Sequence, residues 1–227
     1  MMTKRERLSA ALAGEPIDRL PISAWLHFGS EHLSGDEAAD RHIAFMKAYD
    51  WDYLKVMNDY RLPLPGTRAL TDAADLLRFQ PLAPDAPVLA TQLACFRRLR
   101  MILGPDVPLI ETLFNPLQTL VRAAGRGALG LALAHAAQAR VALEAVTETH
   151  IGYIHALRDA GADGVFYSIN GAVDPGHGGL TDEQYAEFVA PYDLRILEAA
   201  EGMIRIVHIH GVNLRFDRCA SYPCEAF

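Results

Sequence analysis

The sequence predicts an α/β protein of the (β/α)8 barrel type, on three observations. Helical and strand-like stretches alternate from end to end, the pattern of βαβ units and a parallel sheet. No glycine-rich dinucleotide fingerprint follows the first strand-like stretch, which ends instead in Trp25, His27 and Phe28. Polar residues able to do chemistry stand at the C-terminal ends of five different strands: His27, Asp59, Asn115, Asn170 and His210. Barrel sites gather at those ends.

The elements follow in order. Thr3, with Glu6 three residues on, makes a capping box for a first helix that Gly14 and Pro16 end. Residues 20–28 read as the first strand, 36–50 as an amphipathic helix and 52–59 as the second strand. Residues 87–103 form a helix closed by Gly104 and Pro105, and 107–114 a third strand. The alanine-rich stretch 116–160 is helical, with interruptions around Gly125, Gly127 and Gly130. A strand over 165–170 follows, then a helix capped by Thr181 and Gln184, then a strand over 204–210. Residues 213–220 read as a short helix and 222–227 as the start of another strand. Five strands and the opening of a sixth, where closure needs eight, predict a single domain over 1–227 that stops before its barrel closes.

Composition narrows the function. Of the 227 residues, 51% are apolar, enough for a real core. A net charge of −7, with no basic stripe interleaved with aromatics, argues against nucleic acid. The charged N-terminal stretch lacks the apolar region of a secretory signal. The longest apolar run, around 127–137, is too short to span a bilayer. Three cysteines, Cys95, Cys219 and Cys224, make no disulfide framework and read as free thiols of a reducing cytoplasm.

The strongest chemical motif is "VHIHG", residues 207–211. Residues two apart on a strand share a face, so His208 and His210 point the same way. Inside a barrel both imidazoles would face one substrate or one metal, and zinc suits such a nitrogen pair. The bland alternative is two core-edge histidines bonded to backbone. Adding Cys219 and Cys224 would complete four ligands, but without the close Cys-x2-Cys spacing of structural zinc sites. Asp59 is the best acid, on a strand face with Lys55 and Met57, and is expected to act as acid, base or charge stabiliser. Trp25, His27, Asn115 and Asn170 are expected to contact substrate.

The stretches "RERLSAALAGEPIDRLPISAWL", "YDWDYLKVMNDY", "VPLIETLFNPLQTL", "YIHALRDAGADGVFYSINGA", "YAEFVAPYDLRILEAA" and "VHIHGVN" together resemble the uroporphyrinogen decarboxylase superfamily. They occur in the family's order and cover nearly the whole chain. The resemblance implies a (β/α)8 barrel and one of two chemistries. Decarboxylases of the superfamily are cofactor-free and use an arginine run after the first strand with an aspartate after the second. Asp59 falls at that aspartate, but no arginine lies between Arg19 and Arg41. Its corrinoid-linked methyltransferases bind zinc through a His-x-Cys-Gly motif on the fifth strand, where this chain has "HIHG" with His210 in place of the cysteine.

Three readings follow. The first is a methyltransferase-like enzyme with zinc on His208 and His210, moving a methyl group between a corrinoid and a small acceptor. The second is a metal-free porphyrinogen-type decarboxylase, a lyase of tetrapyrrole metabolism, centred on Asp59. The third is an inactive chain whose open sheet edge leads it to self-associate.

Overall fold

The computed structural model describes residues 2–64, 70–125 and 127–227. Four parallel strands form one sheet in chain order: β1 (Leu54–Val56), β2 (Leu109–Phe114), β3 (Gly164–Ile169) and β4 (Ile204–Ile209). Helices carry the chain back between them, as parallel pairing demands. Two helices precede β1, α1 (Lys4–Leu12) and α2 (Gly35–Tyr49). After β1 come α3 (Ala73–Leu76) and α4 (Pro87–Leu103). The β2–β3 crossover is α5 (Pro116–Ala124), α6 (Gly127–Ala134) and α7 (Ala136–Asp159), and that from β3 to β4 is α8 (Asp182–Phe188) and α9 (Ala190–Ala199).

Local chemistry sets most of these boundaries. Both capping boxes expected from the sequence form, Thr3 with Glu6 and Thr181 with Gln184, and Ser34 with Glu37 makes another. Helix α4 begins on Pro87 and ends at Gly104, whose φ of +72° suits glycine. The alanine-rich stretch breaks at Gly125 and again at His135, while Gly127 and Gly130 lie within α6. Residues 213–220 shorten to a single 3-10 turn, Phe216–Arg218.

One expected strand is absent. Residues 20–28 run beside β1 without joining its ladder. Pro21 has no N–H to give. The Ile22 N–H goes to the Asp52 carboxylate at 2.8 Å, and the Ser23 hydroxyl takes the Tyr53 carbonyl at 2.7 Å. Only the Asp52 N–H to Ile22 carbonyl bond, 2.8 Å, links the two backbones here. Side chains occupy the groups a strand would pair. At the other edge, Val207 N–H donates to the Ala226 carbonyl and Glu225 N–H to the Arg205 carbonyl, both at 2.9 Å, so the chain's last residues run parallel to β4.

The sheet has two unlike faces. Leu54, Val56, Leu109, Leu113, Val165, Tyr167 and Val207 alternate onto the helix-covered face, all 1% exposed or less. Each buried aliphatic side chain there contributes about 1.5–3 kcal/mol. The opposite face carries Lys55, Thr112, Phe114, Phe166, Ser168 and His208, and it holds the site.

Candidate functional site

The inner face opens, at the C-terminal ends of the strands, onto a cleft of about 220 Å³. Lys55 and Met57 enter from β1 and its extension, Thr112 and Phe114 from β2, Phe166 and Ser168 from β3, and His208 and His210 from β4 and the residue after it. Parallel register sets Phe114, Ser168 and His208 in one row across three strands. Trp25 and His27 close the cleft from the N-terminal segment, Gln118 and Arg122 from α5, and Asn170 from the turn after β3.

His208 Nε2 and His210 Nδ1 stand 3.4 Å apart. The His208 ring leans on Phe166, with 5.2 Å between centres. Burial, followed by the charges of His210 and Lys55, holds the His208 imidazole below its usual range. Cys219 is elsewhere. It contacts the Tyr185 hydroxyl at 3.1 Å, in a group that runs through Tyr222 and Asp193 to Tyr167 on the helix-covered face. The sheet separates it from the imidazoles, so a His2Cys2 site does not form. Among the described residues no three His, Cys, Asp or Glu side chains gather as a metal cluster.

Asp59 sits in an adjoining recess of about 550 Å³ that shares His27 and Arg122 with the cleft. Its Oδ1 meets His27 Nδ1 at 2.6 Å, and its Oδ2 accepts from the Ser30 N–H, the Ser30 hydroxyl and the Phe28 N–H. Burial alone would push this carboxyl up, but the bonds from Ser30 and His27 outweigh it and hold it below the usual carboxylate range. Asp59 is therefore a fixed anion that orients His27 rather than a proton donor near neutral pH. Asn115 is fully buried and serves the frame: its Oδ1 caps α5 at the Gln118 N–H, and its Nδ2 donates to the Asn170 carbonyl at 3.2 Å. Of the residues expected from sequence, the fold gathers Trp25, His27, Asn170, His208 and His210 in one cleft, places Asp59 next door and keeps Asn115 behind.

The two basic side chains of the lining apart from the histidines were not singled out as site residues by the sequence reading. Lys55 is only 6% exposed, with its Nζ 4.2 Å from the Trp25 ring centre and 4.0 Å from that of Phe166. Burial pushes its ammonium down to about 8, against the pull of Glu111. Arg122 lies 4.0 Å over the Phe114 ring and forms no ion pair among the described residues. Burial and then Arg61 lower its guanidinium, with Asp59 opposing. Among the described residues the cleft lining holds no Asp or Glu, in a chain of net charge −7. Lys55 was legible as one of only three lysines in the chain. Arg122 had no such signal.

At the level of sequence, residues 56–227 match a family model for uroporphyrinogen decarboxylase (URO-D). The chain belongs to the uroporphyrinogen decarboxylase family. No curated protein matches the sequence. Among solved structures, a methyltransferase from Methanosarcina mazei superposes with a TM-score of 0.72 over 99% of this chain and 75% of that one, at 18% identity. At that identity the likeness speaks for the fold, a barrel-type arrangement shared across the family. The "IDRLP" stretch, residues 17–21, has a structural use. Arg7 grips both Asp18 oxygens, and Arg7 and Arg19 converge on the buried Asp52. That network anchors the segment that delivers Trp25 and His27.

Proposed function

We propose that the cleft is the active site of a methyltransferase-like member of the family, with zinc on His208 and His210 serving methyl transfer between a corrinoid and a small acceptor. The spacing of the imidazoles carries this reading. Two nitrogens at 2.0–2.1 Å on a tetrahedral zinc stand about 3.4 Å apart, which is the separation of His208 Nε2 and His210 Nδ1. Zinc held there would act as a Lewis acid on the acceptor. The remaining positions fall to water, to the acceptor or to a donor outside the described residues. Trp25 and Phe166 supply apolar walls, Ser168 and Asn170 polar edges, and Asp59 holds His27 at the rim. Lys55 and Arg122 repel a dication, a cost that an anionic acceptor offsets.

A second reading, a metal-free decarboxylase, has one observation in its favour: Lys55 and Arg122 face the cleft with no carboxylate among its lining residues, as a carboxylated substrate requires. Metal content separates the two. Folded wild-type protein is expected to carry about one zinc per chain, measured by mass spectrometry, and the His208→Ala/His210→Ala variant none. A folded, metal-free wild type sinks the zinc reading and leaves the decarboxylase or an inactive chain.

We also propose that copies of the chain associate along the segment beside β1. Leu20, Ile22, Trp25 and Leu26 are each 50% exposed or more, four large apolar side chains within seven residues.

A further inference from the structure

We propose that Lys55 is a nucleophilic amine that condenses with a small carbonyl compound carrying a carboxylate. This chemistry goes beyond the methyl-transfer reading and needs no metal. The chain has 21 basic residues and only three are lysine. Lys4 is bound to the Asp50 carboxylate and to the Asp50 and Trp51 carbonyls, and Lys47 is exposed on α2. The third is placed inside the cleft. Arginine fills nearly every other basic position, and arginine cannot give up its proton to become a nucleophile.

The surroundings of Lys55 are those of an amine kept reactive rather than spent on an ion pair. Its three N–H donors find one acceptor among the described residues, the weak Met57 Sδ at 3.4 Å. No carboxylate pairs with it there. The Nζ stands against the Trp25 and Phe166 rings, whose faces favour its charged form, while burial favours the neutral one and prevails. A buried lysine so treated is a recognised route to Schiff-base chemistry.

The cleft also limits the partner. About 220 Å³ falls below the roughly 300–1,000 Å³ of sites for drug-sized ligands, so the carbonyl compound is small. Arg122, which forms no ion pair among the described residues, offers a planar pair of donors for a carboxylate. A 2-oxo acid meets both demands. The step balances without oxidant or reductant. The Lys55 lone pair attacks the carbonyl carbon and an amine proton passes to the carbonyl oxygen, giving a carbinolamine. Loss of one water leaves the neutral imine, and uptake of one proton from solvent gives the iminium that borohydride reduces.

Borohydride trapping tests this on the whole folded chain, after chelator treatment so that the outcome is independent of zinc. Glyoxylate is the probe, and peptide mass spectrometry locates the reduced adduct. Lys55 is expected to label at concentrations roughly tenfold or more below those that label Lys47 or the N-terminal amine, and Lys55→Arg to lose that adduct alone. Wild-type protein in which Lys55 stays unmodified, or labels no earlier than Lys47, overturns the proposal without any variant needing to fold. Arg122→Gln is expected to raise the glyoxylate requirement roughly tenfold while leaving labelling by neutral glycolaldehyde unchanged. An equal effect on both probes overturns the carboxylate assignment. A metal-free wild type that still labels at Lys55 would refute the zinc reading and uphold this one, and zinc without labelling would do the reverse.

Discussion

Glu111, on β2 behind the cleft, accepts from Gln92 Nε2 and from the Tyr153 hydroxyl at 3.0 Å each, with no exposure to water. Burial pushes its carboxyl up to about 8, and the bonds from Gln92 and Tyr153 only partly counter it. Bonds from the Thr112 backbone and Asn58 also favour the charged form without reversing the shift. The folded protein therefore holds this proton up to about pH 8, while the unfolded chain releases it near 4.5. Stability from Glu111 is full below the lower value and is lost as pH rises through the upper one. His150, pushed down to about 4 by burial, has the opposite sign, but its contribution is complete above pH 6.5. Between pH 6.5 and 8 unfolding stability is thus expected to fall by about 1–2 kcal/mol in wild type. Denaturant titrations of Glu111→Gln should show that slope reduced to the smaller part that Asp193 contributes, since burial holds its carboxyl up to about 7; an unchanged slope would mean that the Glu111 carboxyl is ionised. At this scale sequence reading found the histidines, because spacing two on a strand is visible in a string. It passed over Lys55 and Arg122, because their lack of an acidic partner is a fact of three dimensions.

Among the elements, β3 shows how tightly the sheet is drawn. A Cβ at Gly164 would stand 2.3 Å from the Ile204 carbonyl oxygen, 2.7 Å from Ile204 Cβ and 2.9 Å from Ile110 Cδ1. Backbone cannot yield as a flexible side chain does. Gly164→Ala is expected to destabilise the protein by about 1–3 kcal/mol or more, read as a lower denaturant midpoint. A neutral result would show that β4 can move relative to β3. Helices were the legible elements, since capping boxes, Pro87 and Gly104 act within a few residues of sequence. Residues 20–28 have a strand's composition, yet ladder pairing depends on what stands opposite. There Asp52 and Ser23 take the groups a neighbouring strand would use.

For the whole molecule, four parallel strands in sequential order and their helices form a barrel-type arrangement, with a further strand position opening at Ala226 beside β4. Among the described residues no helix is long and apolar enough to cross a membrane. The exposed apolar segment along β1 predicts concentration-dependent elution in size-exclusion chromatography, shifted to monomer by Leu20→Lys/Leu26→Lys. A single monomeric species at all concentrations would dismiss association. The alternation of helix and strand over most of the chain and the spacing that puts His208 and His210 together were legible in the sequence itself, because periodicity and capping are local. Tertiary structure alone decided that Asn115 is a frame residue, that Asp59 is a bonded anion beside the cleft, and that Lys55 and Arg122 line a site free of carboxylates. Those outcomes depend on burial and on partners far away along the chain, and no stretch of sequence carries either.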